Sequence, residues 1–406
     1  MLLALAWRNL WRRPQRTILS LLSMAIAAAL LVFMLSFQLG VYETMKESTL
    51  RIFDGYAQFQ PDGYAADPGL DRTIAHAEGL IQEAVAIRGV TTAAPRVNGF
   101  AILANGERSY GAAVVGVDPA AEIKISSIAA MIRDGRYLDP ADRDTAVLGA
   151  SLARNLQLTV GGRVTLLGAA RDGSVAADVL RVVGIYHSGI PELDRSILEM
   201  PLSRAQDTFA MTGRASTIAL GGPSLSAVNG ALPALGSLAR RHGVSLLDWG
   251  ALEPALRDAL TLKYATTALL YLTLVVVVAF IMVNTLLMSV LERTREFGML
   301  LAIGMQPRLI GRMVWLEQLM LALMGCAAGL AIGAGVTRWF QHRGITYTGL
   351  GDLLAQFGLP EKLYPTLTPP SALIGPGAIL LAVTLSGIIP YLRVTHLTAA
   401  SAMQAA

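Results

Sequence analysis

The sequence predicts an α-helical membrane protein with four transmembrane helices and a large α+β extracytoplasmic domain inserted between helices 1 and 2. Three observations predict it. The 406 residues are 53% hydrophobic and only 15% charged, whereas soluble domains carry about a quarter charged residues. Four segments, 17–42, 264–291, 313–336 and 371–392, contain apolar runs long enough to cross about 30 Å of hydrocarbon as helices. Between the first and second lie residues 43–263, of ordinary soluble composition and long enough to bury their own core.

Residues 1–16, MLLALAWRNLWRRPQR, place Leu3, Trp7, Leu10 and Trp11 on one helical face and Arg8 and Arg12 off it. Tryptophan favours the headgroup region, so a cytoplasmic interfacial helix is expected before Pro14. The apolar run in 17–42 is longer than a signal-peptide core and reads as an anchor that stays in place. Within 43–263, residues 73–87, 223–241 and 251–262 look helical. The β-branched runs near 97–103, 111–117, 163–168 and 180–186 read as strands separated by Gly- and Asp-containing turns. The strand-rich centre, about 117–200, suggests a subdomain inserted into the α+β module, and the scattered acidic residues of this region suggest a solvated surface.

In 313–336, Gly325, Gly329 and Gly333 recur every four residues and predict a helix-packing face. Two polar residues fall inside spans, Asn284 in the second and Glu317 near the start of the third. Glu317 lies five residues after Arg312, and a structural role, paired with a cytoplasmic arginine, is expected for it. An extracytoplasmic loop, 337–370, and a cytoplasmic tail, 393–406, complete the layout.

Charge sets the orientation, because Lys and Arg in short flanks resist translocation. Arg8, Arg12, Arg13, Arg16, Arg293, Arg295, Arg308, Arg312 and Arg393 fall on one side, against Arg338, Arg343 and Lys362 in loop 337–370. Both termini and the 292–312 segment are therefore expected in the cytoplasm, with the large domain outside. That domain holds 21 basic and 24 acidic residues, so the net charge of +4 is an orientation signal and argues against nucleic acid as a partner. Cys326 is the sole cysteine, so no intramolecular disulfide forms, and the five histidines lack metal-ligand spacing. The chain contains no G-x-x-x-x-G-K-[ST] phosphate loop, no G-x-S-x-G elbow and no H-E-x-x-H helix. No catalytic, cofactor or metal residues are assigned.

The segment between the second and third spans carries a more specific pattern. In LERTREFGMLLAIGMQPRLIGRM, Glu292, Arg293, Arg295 and Glu296 fill the first turns, and Phe297, Leu300, Leu301 and Gly304 recur at helical spacing. This is a short amphipathic helix, ended around 304–307 by glycine and proline. Its apolar stripe must face the membrane, the helix bundle or a partner protein.

Residues 284–305, NTLLMSVLERTREFGMLLAIGM, resemble the signature of the MacB/FtsX/LolC–LolE family of ABC transporter permeases (type VII), through Asn284, Glu292, Arg293, Arg295, Glu296, Gly298, Ala302 and Gly304. Leu301 stands where that family usually has arginine. The opening LAWRNLWRRPQRTILSLLSMAIAAALL, the third-span stretch LEQLMLALMGCAAGLAIG and the segments VVGVDPAAE and VVGIYHSGIPELDR are similar to the same family. The resemblance implies a MacB-like periplasmic core and a coupling helix through which Glu292, Arg293, Arg295, Glu296, Phe297, Gly298, Leu300 and Gly304 engage a cytoplasmic ABC ATPase dimer. ATP and magnesium would bind that ATPase, with no cofactor in this chain. It further implies a bacterial inner-membrane location in contact with lipid, a second permease copy or paralogue, and a function in lipoprotein release with a periplasmic carrier. Drug or peptide efflux through a periplasmic adaptor, and mechanotransmission to cell-wall hydrolases, remain as alternatives. Secondary transport is disfavoured, because four spans without a midplane charge or inverted repeat offer no ion-coupled site.

Overall fold

The computed structural model describes residues 2–12, 14–346, 349, 362–388 and 391–392. The expected tail 393–406, and most of loop 337–370 beyond Thr346, lie outside the described residues. The chain opens with α1 (Leu2–Leu10) and a 39-residue helix, α2 (Pro14–Ile52). There follow β1 (Ala57–Gln60), β2 (Ile74–Ala75), α3 (Ala77–Val85), β3 (Thr92–Asn105), β4 (Arg108–Val117), α4 (Pro119–Glu122), β5 (Ile132–Gly135), β6 (Thr145–Gly149) and α5 (Ala150–Leu156). Next come β7 (Arg163–Ala169), β8 (Val175–Tyr186), α6 (Pro191–Ser196), β9 (Ile197–Pro201), α7 (Leu202–Thr208), β10 (Arg214–Ala215) and β11 (Thr217–Gly221). The remainder is α8 (Leu225–His242), β12 (Ser245–Asp248), α9 (Trp249–Leu252), α10 (Pro254–Glu292), α11 (Thr294–Ala302), α12 (Pro307–Arg343), β13 (Ile345–Thr346), β14 (Lys362–Leu363) and α13 (Pro369–Ser386). Two compact units result. One is helical, drawn from 1–44, 259–347 and 362–406, and the other is α+β, drawn mainly from 45–258.

In the helical unit, α2, α10 and α12 are each long and apolar enough to cross a membrane. The fourth apolar segment appears as α13, an 18-residue helix started by a capping box between Thr368 and Ser371, with Pro369 and Pro370 in its first turn. Residues 389–390 of the expected fourth span lie outside the described residues. Gly325, Gly329 and Gly333 all face α2. A Cβ at Gly329 would lie 2.5 Å from both the Ala25 carbonyl oxygen and the Ala28 Cβ, and one at Gly333 would lie 2.9 Å from the Ala29 carbonyl oxygen. Hydrogen bonds join other helix pairs of this unit: Ser36 Oγ of α2 to Ser371 Oγ of α13 (2.9 Å), Tyr271 OH of α10 to the Leu31 carbonyl of α2 (3.1 Å) and Trp315 Nε1 of α12 to the Thr384 carbonyl of α13 (3.3 Å). By contrast, α10 leaves Leu269, Leu272, Val276 and Phe280 exposed in the single chain.

In α1, Leu3, Trp7 and Trp11 are exposed, with the two tryptophan rings edge-to-face at 6.1 Å. Leu10, expected on that same face, is instead buried together with Ala6. Residues four apart share a face, and Leu10 follows Ala6 by four, so the two fall on the packed side.

The α+β unit is built on one ten-stranded sheet in the order β12-β1-β11-β3-β4-β9-β6-β8-β5, with β7 pairing both β3 and β8. The pairings β3–β4, β4–β9, β9–β6, β6–β8, β8–β7 and β7–β3 therefore close a ring of six strands. Alternation along β8 sends Ala176, Asp178, Leu180 and Val182 inward, and a core including Val97, Leu103, Val114, Leu148, Leu166 and Met200 forms around the ring. The fourteen-residue β3 serves both parts. Its start pairs β11 in the open sheet and its end pairs β7 in the ring. Between them, Gly99 admits the Phe209 ring, which would come within 2.6 Å of an added Cβ. The segment expected as an insertion thus supplies β5–β9, which extend the same sheet beyond β4.

On the open part of the sheet, α3 and α8 cover a second core. Ser224 caps α8, Gly243 ends it at φ 64°, and Leu225, Val228, Ala231, Leu235 and Leu238 form its buried stripe. The helix expected over 251–262 divides at Glu253, because α9 stops and Pro254 opens α10. The expectation of a solvated acidic surface is overturned in part. The acidic residues of this unit are not all solvated: Glu122, Asp178, Asp194 and Glu199 are buried. Each has taken a specific donor, as Arg204 Nε does for Asp178 at 2.7 Å.

Candidate functional site

The junction between α10 and α12 holds most of the residues singled out in the sequence. Helix α10 ends at Glu292, Arg293 leaves helical geometry at φ −102° and ψ 7°, and α11 begins at Thr294. The far end is fixed by Gly304 at φ 100°, where a side chain would be strained, and by Met305 N–H donating to the Leu300 carbonyl (3.0 Å). Pro307 then opens α12. The expected continuous 292–304 helix is therefore a separate nine-residue helix with a break on either side.

A polar cluster ties this element down. Glu317 receives Asn9 Nδ2 on one carboxylate oxygen and Arg293 Nη1 on the other, both at 2.8 Å. Arg293 also reaches Glu296 through Nε at 3.4 Å and lies 5.2 Å from the centre of the Phe297 ring. Arg12 stands 4.0 Å from Glu296 at the exposed rim. Three chain segments, α1, the α10–α11 break and α12, thus converge on one carboxylate. Such charge-assisted bonds at a low-dielectric margin fix geometry more firmly than neutral ones.

The apolar stripe faces the bundle. Phe297 and Gly298 are buried, and Phe297 packs with Val290, Ile310, Met313 and Val314, joined by Leu300, Leu301 and Met305. This corrects part of the expected partner surface, since Phe297 and Leu300 pack on α12 and Gly298 is buried. Leu301, standing in place of the arginine, contributes to the same apolar cluster. The outward face is Arg295, Met299, Ala302 and Ile303, with Met299 53% and Ile303 84% exposed. Met299 and Ile303 were not among the expected contact residues, although they follow Arg295 at successive steps of four and so mark the second face. Glu292 is exposed and Glu296 half-buried. The structure does not bring Asn284 to the cluster, as it lies exposed on α10.

The family of FtsX-like permease C-terminal regions matches residues 268–399, and the MacB-like periplasmic core domain matches residues 17–231, more than half of the chain. The lipoprotein-releasing system transmembrane protein LolC of Neisseria meningitidis serogroup B is 24% identical over 330 residues, 78% of this chain and 76% of that protein. The corresponding LolE of Haemophilus influenzae is 24% identical over 335 residues, 77% and 75% of the two chains. The periplasmic region of MacB from Actinobacillus actinomycetemcomitans, at 15% identity and a TM-score of 0.37, covers 50% of this chain and 93% of its own. The apolar helices and the matched core domain make this a bacterial inner-membrane protein with a periplasmic domain. With both halves matched, the chain belongs to the MacB/FtsX/LolC–LolE family of ABC transporter permeases, whose members work with ATPase partners.

Proposed function

We propose that this permease converts ATP hydrolysis by a separate cytoplasmic ATPase dimer into motion of its periplasmic domain, and that the motion releases lipoproteins from the inner membrane. Lipoprotein as cargo rests on the similarity to LolC and LolE, transmembrane proteins of lipoprotein-releasing systems. In this reading α13 is the fourth span, both termini are cytoplasmic, ATP and magnesium bind the ATPase, and α11 is the coupling element. The exposed apolar side of α10 would be covered by a second permease copy or a paralogue. The observation that carries the reading is the two-sided build of α11, with one face locked to α12 through Phe297 and Arg293–Glu317 and the other presenting Arg295, Met299 and Ile303 outward. An element held this rigidly relays a push; a loosely tethered loop would absorb it.

The test is Met299→Asp with Ile303→Asp. These exposed positions leave folding and insertion intact, and ATPase capture and permease-stimulated hydrolysis should fall at least tenfold. Unchanged stimulation would remove α11 from the coupling role. Purification from native membranes then reads the cargo. Bound triacylated protein supports lipoprotein release, whereas a bound periplasmic adaptor or a hydrolase regulator would replace it.

A further inference from the structure

The last turn of α2 belongs to the α+β unit, and its carbonyls are met by donors from elsewhere in that unit. Ser127 N–H donates to the Arg51 carbonyl (2.7 Å), Ser126 Oγ to Ile52 (2.8 Å) and Arg96 Nη2 to Phe53 (2.5 Å). Four carbonyls at a helix C-terminus have no partner within the helix, and a cation there also opposes the negative end of the helix dipole. Arg96 is fully buried and lies 4.4 Å from the centre of the Phe53 ring. Its Nη2 and Nε engage both oxygens of Glu122 at 2.5 and 3.1 Å. That pair is complete, with one cation and one carboxylate.

A second carboxyl, Glu199, is buried beside it on β9, the strand between β4 and β6. Tyr137 OH donates to its Oε2 at 2.7 Å, and its Oε1 has no hydrogen-bond partner among the described residues. Glu122 repels it, Arg96 is already committed to Glu122, and Tyr186 is the remaining titratable group that feels its charge. Two buried carboxylates against one guanidinium leave an uncompensated charge, which a protein interior relieves by protonation.

We propose that Arg96 and Glu122 are the positioning pair that seats the end of α2 in the periplasmic domain, and that Glu199 carries a proton there whose loss loosens the seat. Burial, then repulsion by Glu122, raises Glu199 to about 8, while the Tyr137 hydrogen bond and the nearby Arg96 charge pull it down. Phe53 and Tyr137 pack on one core cluster, so loosening at Phe53 would open the surroundings of Glu199 to water and return its carboxyl toward its ordinary value. Loosening is therefore linked to release of one proton between roughly pH 4.5 and 8, favoured by about tenfold per pH unit there and by no more above it. Asp54 is also raised, to about 7, by burial and by Glu253, and titrates in the same window. The comparison therefore uses an Asp54→Asn background.

The measurement is amide hydrogen exchange of the full-length chain in lipid nanodiscs from pH 5 to 9, with each rate divided by that of the free peptide at the same pH. In the Asp54→Asn chain, protection over 51–56 should fall as pH rises and level off near 8. Adding Glu199→Gln should make it flat, and adding Tyr137→Phe should move the plateau upward. A slope that survives Glu199→Gln, a flat parent profile, or a Tyr137→Phe plateau that stays or moves down would overturn the proposal. The readout is on this chain alone, so it stands apart from the ATPase reading.

Discussion

Among the described residues, an arginine–glutamate pair is sealed inside the α+β unit and another lies at the margin of the helical unit, and the two are built differently. Arg96–Glu122 is sealed, at 1% and 0% exposure, whereas Arg293–Glu317 lies at a margin, at 15% and 8%. In the sealed pair the guanidinium spends its donors on both oxygens of one carboxylate and on the Phe53 carbonyl. In the marginal pair every group has an alternative, since Arg293 also reaches Glu296, and Glu317 also receives Asn9. The lesson concerns tolerance. Removing one member of a sealed pair strands a charge that water cannot reach, while at a margin the survivor turns to its second partner or to solvent.

The largest effect should come from Arg96→Met. It leaves Glu122 buried without a cation and should cost about 3–5 kcal/mol in denaturant unfolding of the periplasmic unit followed in the full-length chain. Arg96→Met with Glu122→Leu should recover most of that loss, because both charges are gone. If the double variant proves no more stable than the single one, the cost lies in packing around Phe53, and a stranded charge is not what separates the sealed pair from the marginal one. Arg293→Met should cost less, about 1–2 kcal/mol, since Asn9 still serves Glu317 at a site partly open to water; thermal unfolding in detergent measures it. Its effect on ATPase stimulation should exceed its effect on stability if α11 couples, since the break between α10 and α11 is what Arg293 fixes. At the exposed rim, Arg12→Ala should change stability by no more than about 0.5 kcal/mol. A shift larger than that of Arg293→Met would show that the cluster is held from its rim.

The same contrast explains which features could be read in the chain. The glycines at 325, 329 and 333 and the charged-then-apolar pattern after Leu291 are local periodicities, visible without a fold. The strands near 97–103, 111–117, 163–168 and 180–186 were readable for the same reason and are found at 92–105, 108–117, 163–169 and 175–186. Arg96, Glu122 and Glu199 sit in TTAAPRVNGF, VDPAAEIKIS and SILEMPLS, stretches with nothing to mark a buried ion pair. Their meeting depends on β4 pairing β9 across about eighty residues of intervening chain. The inward turn of Phe297 was equally hidden, because a stripe records that a helix has an apolar face and is silent about what covers it.

Sequence by itself determined the membrane class, the expected orientation, the long apolar helices and the existence of a two-faced element between two of them. Each follows from composition or from repeats within a single helix, where neighbours in sequence are neighbours in space. Tertiary structure alone decided the closed ring of strands, which face of α11 is free, and which carboxyls are denied water. Those depend on contacts between residues far apart in the chain, and burial is a property of the assembled neighbourhood that no residue carries with it.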